Sequence, residues 1–177
     1  MSDDAAGLLA EIHAARGLLR ATARAAPSPA RAHPGIAALW AHAIREPGAA
    51  VDLAVVRAIR TDPDTARRYR TLLAAQAVAH APLAAAAADG RIASRRIGAF
   101  TLEFLDGMAE GPPLLVIRGE NPRPPRIIEV ILADDAVRVA LPEPIAGAIL
   151  LALDPAVPDV VRLGAMLRNP ASAAFLL

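Results

Sequence analysis

A chain of 177 residues with a formal charge of +1 and no cysteine has room for one domain or two small ones, and it excludes a disulfide framework, a thiolate zinc site and a cysteine nucleophile. All 19 basic residues are arginine, which excludes a lysine-bearing phosphate loop, and the near-neutral balance gives no global pull toward nucleic acid. Apolar residues make up 55% but aromatics only 3%, much of the remainder being alanine, so the expected core is light for its length, as in a protein from a GC-rich bacterial genome.

Ser2-Asp3-Asp4 stands where a signal peptide would carry basic residues. The longest strongly apolar run, Pro144 to Leu153, is about half of the ~20 residues a membrane span needs. The expectation is a soluble, cytoplasmic protein without a membrane partner.

In chain order, Ser2 is a candidate cap for a helix to about residue 26, with Leu8, Ile12, Ala15 and Leu19 on one face. Pro27-Ser28-Pro29 ends it. A second helix is predicted from Pro34 to about Arg45, with Ile36, Leu39, Trp40, Ala43 and Ile44 as its apolar side, and a third over about 50–60. The clearest helix start is Asp62-Pro63-Asp64. The Asp62 carboxylate can accept orphan N–H groups, Pro63 has no N–H to lose, and Asp64 adds negative charge at the positive end of the helix dipole. This fourth helix is predicted to run to a kink or break near His80, continue over residues 84–88 and stop at Asp89-Gly90.

Beyond that point the apolar period changes from 3.6 to 2. Strands are predicted over 96–105, 113–118, 126–132, 136–141, 159–167 and 173–177, and Ile145 to Leu153 fits either strand or helix, with Gly147 favouring strand. Asp134-Asp135 reads as a hairpin turn, and Glu129 and Arg138 are expected on the wet face. The apolar end Phe175-Leu176-Leu177 must be covered, inside the sheet or at a partner interface. The predicted fold class is α+β: an N-terminal helical bundle over 1–90, followed by a small antiparallel β-sandwich or barrel over 91–177.

The polar residues form no familiar catalytic pattern. His13, His33, His42 and His80 have no metal-ligand spacing, and no serine lies in a nucleophile elbow or near a His and an acid in sequence. Arg67-Arg68-Tyr69-Arg70 interleaves charge with an aromatic, but it reads first as a solvated helix face rather than a nucleic-acid surface. No cofactor, metal or catalytic residue is assigned.

Trp40, the apolar stretch through Ile44, the turn at Glu46-Pro47-Gly48, the helix through Ile59, then Asp62-Pro63 and Tyr69 together resemble the N-terminal helical domain of anti-sigma factors, over about residues 36–78. The pattern is similar in particular to the cytoplasmic domain of iron-citrate-type sensor regulators, although Ile59-Arg60-Thr61 stands where that family has a further Trp. The resemblance implies a helical bundle that clamps a sigma factor through apolar grooves. The resulting expectation is a non-enzymatic bacterial regulatory protein that binds a protein partner through its helical half, with Trp40, Arg57, Arg60, Arg67, Arg68 and Arg70 as partner-binding residues and no direct contact with nucleic acid. The alternative is a structural or assembly subunit of a multi-protein complex of the defence or secretion type.

Overall fold

In the computed structural model the described residues are 33–81, 93–107, 111–121 and 123–177. The first helix expected over about 2–26, and the continuation over 84–88 with its stop at Asp89-Gly90, lie outside them. Pro34–Leu177 forms one compact unit.

The described chain is mixed α+β. Helices α1 (Ile36–Ile44), α2 (Leu53–Thr61) and α3 (Pro63–Gln76) come first, then strands β1 (Ala79–Ala81), β2 (Ser94–Ile97), β3 (Phe100–Leu105), β4 (Leu114–Gly119), β5 (Ile127–Leu132), β6 (Asp135–Ala140) and β7 (Ala148–Ala152), then helix α4 (Pro158–Leu167) and strand β8 (Ala173–Leu176). Two four-stranded antiparallel sheets result, in the orders β1-β8-β5-β6 and β2-β3-β4-β7. The sheets stay open, so the barrel alternative is overturned. The helices are likewise not a clear N-terminal bundle, because α4 interrupts the β-rich half and α1–α3 pack on a sheet.

Two apolar clusters explain this layering. Ile97, Leu102, Leu115 and Ile117 of one sheet meet Ile128, Val130, Val139 and Leu176 of the other, with Leu163 and Leu167 of α4 in the same core. On the opposite side of the β1-β8-β5-β6 sheet, Leu39, Ala43, Val55, Tyr69 and Leu73 pack with Ile131, Ala173 and Phe175. That sheet is therefore covered on both faces, and β5 reads as a nearly continuous apolar run rather than an alternation.

Local chemistry accounts for most boundaries. The Asp62-Pro63 start forms as read from the sequence: Asp62 Oδ2 accepts the Thr65 N–H at 2.9 Å and Pro63 opens α3. Asp52 caps α2 in the same way, accepting the Ala54 N–H at 2.8 Å. At the other end, α3 stops at Gln76 instead of running on to His80. The Val78 N–H donates to the Leu176 carbonyl at 2.7 Å, and Ala79–Ala81 joins the sheet beside β8, so cross-chain pairing overrides local helix propensity.

Three further expectations are corrected. The strand predicted over 96–105 is a hairpin, since Gly98, with φ of 57°, and Ala99 reverse the chain between Ile97 and Phe100. The strand predicted over 159–167 is α4, where Pro158 and Asp159 supply a helix start and Val160, Leu163 and Leu167 supply a helical period. The hairpin turn near Asp134-Asp135 falls one residue earlier, at Ala133-Asp134, because Leu132 pairs with Asp135. By contrast, the apolar C-terminal segment is covered as expected: β8 lies between β1 and β5, with Phe175 and Leu176 buried.

Candidate functional site

Helix α1 has two apolar faces, and only one is used internally. Leu39 and Ala43 enter the core beneath the helices. Ile36, Trp40 and Ile44, spaced four residues apart, form a second row that is 63%, 45% and 51% exposed. Leu53, at the start of α2, is 73% exposed, and Val51 just before it is also exposed. Half of the exposed large hydrophobic residues of the described chain fall between Ile36 and Leu53, a concentration that scattered surface leucines and valines do not produce. Trp40 is the single tryptophan, and here it stands in solvent.

The inner side of the same helices closes a polar cavity against the β5–β6 hairpin. At its base lies Glu129, 1% exposed. Tyr69 donates its hydroxyl to Glu129 Oε1 at 2.6 Å, and Arg138 Nη1 donates to Oε2 at 2.5 Å. Arg138 is opposite Glu129 in the strand register, and its side chain is only 6% exposed. The expectation that Glu129 and Arg138 face water is thus overturned: the face they occupy is roofed by α1–α3 and the Tyr69 ring. Burial first, and the Glu129 carboxylate second, push the Tyr69 phenol well above its ordinary range. His42 lies beside Tyr69, with ring centroids 5.3 Å apart, and burial followed by the nearby Arg45 and Arg138 lowers its pKa from 6.5 to about 4, so it is neutral at pH 7. Arg45 Nη1 donates to the His42 carbonyl at 2.7 Å.

The arginines expected to bind a partner are dispersed. Arg60 and Arg70 line the cavity, Arg60 lying 3.7 Å from Asp135. Arg67 pairs with Asp64 at 3.0 Å on the exposed side of α3. Arg57 and Arg68 are exposed and form no ion pair among the described residues. The residues that sequence reasoning missed are His42, Arg45, Glu129 and Arg138. A signal for one pair existed, since an acid and an arginine at matched hairpin positions attract, but their burial depends on helices 60 residues away in sequence.

A second buried arginine lies elsewhere. Arg95 donates to Ser172 Oγ at 2.6 Å and to the Leu167 carbonyl at 3.4 Å, tying β2 to the end of α4. Burial lowers its pKa.

Among the described residues, no group of three or more His, Cys, Asp or Glu could hold a metal ion, and no helix is long and apolar enough to cross a membrane. No family model, curated protein or solved structure matches the chain.

Proposed function

We propose that the protein is a non-enzymatic, cytoplasmic bacterial regulator that docks a protein partner on the outer face of α1. The observation that carries this reading is the exposed row Ile36, Trp40 and Ile44, which continues toward Val51 and Leu53. Eight helical steps of about 1.5 Å make the row from Ile36 to Ile44 about 12 Å long, which suits the apolar stripe of a partner helix laid alongside it. A tryptophan at the centre of such a row is a typical energetic anchor. Sigma factors are the first partner class to test, because the resemblance over residues 36–78 implies them.

The test is pairwise co-purification of the full chain with each sigma factor encoded in the same genome. One stable complex is expected. Trp40→Asp and Ile44→Asp should each weaken it by more than about tenfold while leaving the circular dichroism unchanged. Absence of binding to every sigma factor removes that partner class, and binding indifferent to both substitutions removes the α1 face.

A further inference from the structure

We infer that the cavity between α1–α3 and the β5–β6 hairpin binds a small organic anion, its carboxylate or phosphate head held by Arg45 and Arg70 and its apolar body against Ile59 and Ile131. This does not rest on the docking face, which lies on the other side of α1.

The cavity holds about 130 Å³, which suits a small acid rather than a drug-sized molecule. Its charges do not cancel internally. Arg138 is committed to Glu129, and Arg60 lies beside Asp135, which also receives Arg162. Arg45 and Arg70 line the same space and form no ion pair among the described residues, against the single remaining carboxylate of Asp134, while Arg45 also donates to the His42 carbonyl. Guanidinium groups on the wall of a partly enclosed space suit a planar or tetrahedral oxyanion.

Arg138 supplies a second, independent observation. Its Nε is buried and has no hydrogen-bond partner. Buried donors are nearly always satisfied, and one left open is a cost to the fold that a ligand can relieve. Arg138 lines the cavity, so a small shift of its side chain on binding would bring this donor to a ligand oxygen. The neutral His42 ring adds a polar wall that does not repel an anion. Val56, Ile59, Ile131 and Val137 make up much of the remaining lining, so a bare ion would leave the apolar part of the cavity unfilled.

The experiment is an NMR titration of the full chain with sodium benzoate, with inorganic phosphate and with sodium chloride at matched ionic strength. Benzoate should shift the His42 and Tyr69 ring signals saturably, and Arg70→Gln should weaken its binding by about tenfold, the loss expected for one charge-assisted contact. Arg45→Gln provides the same readout should Arg70→Gln fail to fold. Arg67→Gln, outside the cavity, should change nothing. Saturable phosphate binding with the same dependence on Arg45 or Arg70 would keep the site and assign the head alone as the recognised group. The inference is overturned if neither probe shifts these signals at about 10 mM, where a millimolar Kd would register. It is equally overturned if chloride reproduces the shifts, or if both arginine substitutions leave binding intact.

Discussion

Tyr69 and Glu129 are joined by a 2.6 Å hydrogen bond between the phenol and a carboxylate oxygen, 60 residues apart in sequence. That contact fastens α3 to the middle of the sheet, in addition to the apolar packing there and the more exposed Arg60–Asp135 pair at the hairpin. The carboxylate can be buried because Tyr69 and Arg138 both donate to it. Tyr69→Phe removes one donor to a charged acceptor and should destabilise the fold by about 1.5–3 kcal/mol in urea titrations. Glu129→Ala strands the Arg138 charge and should cost more, about 3–5 kcal/mol. The double change Glu129→Leu with Arg138→Met should cost less than Glu129→Ala alone, since it removes both charges together.

The same phenol sets an alkaline limit. Its pKa is raised in the fold above the ordinary 10.0, so the unfolded chain loses the proton first. Stability is therefore complete below about pH 10 and falls as pH rises toward the folded value. Thermal denaturation of wild type and Tyr69→Phe above pH 10 should show the decline in the former and its loss in the latter.

His42 sets the acid counterpart. The unfolded imidazole takes a proton near 6.5, whereas the folded one resists until about 4. Its contribution is fully present above pH 6.5 and is lost as pH falls toward 4, amounting to about 2 kcal/mol after allowance for solvent screening. The His42 ring signals should titrate with a midpoint near 4, and His42→Phe should flatten the stability profile between pH 6.5 and 4.5.

Arg95 should tolerate little change. Arg95→Ala leaves Ser172 and the Leu167 carbonyl without their donors inside the fold, and a loss of about 3 kcal/mol is expected. Arg95→Lys should recover only part of it, because one ammonium cannot reproduce the guanidinium fork. Denaturant midpoints of the two variants check the order.

Ala133 turns the β5–β6 hairpin with φ of 53°, a left-handed conformation that its Cβ disfavours. Ala133→Gly should stabilise the protein by up to about 1 kcal/mol, provided the hairpin keeps its register. A higher melting temperature with unchanged circular dichroism would bear this out.

The parts of this fold that were legible in the sequence are those fixed by neighbouring residues. Asp62-Pro63 contains its own cap and its own φ, so its helix start could be read directly. The β5–β6 hairpin could be read to within one residue. Helix α4 was obscured because its apolar residues also fit a short buried strand, and only the Pro158-Asp159 start distinguished the two. Strand β1 depends on β8, almost a hundred residues later, so local propensity favoured helix there. The cavity was the least visible part: Glu129 and Arg138 match in register, yet nothing near them in sequence announces a roof of three helices. For Trp40 the periodicity alone placed it on an apolar stripe, and the packing of Leu39 and Ala43 decided which side of that stripe remains outside.

The most direct test of the docking role uses Trp40 as its own reporter. As the sole tryptophan, 45% exposed, it should dominate the fluorescence and emit as a wetted indole in the free protein. Titration with the purified sigma factor recovered in co-purification, carrying tyrosine or phenylalanine in place of its own tryptophans, should shift that emission to the blue and saturate at one partner per chain. An Ile44→Asp chain should require at least about tenfold more partner. A saturable complex that leaves the Trp40 emission where it began would place the contact elsewhere and contradict the account.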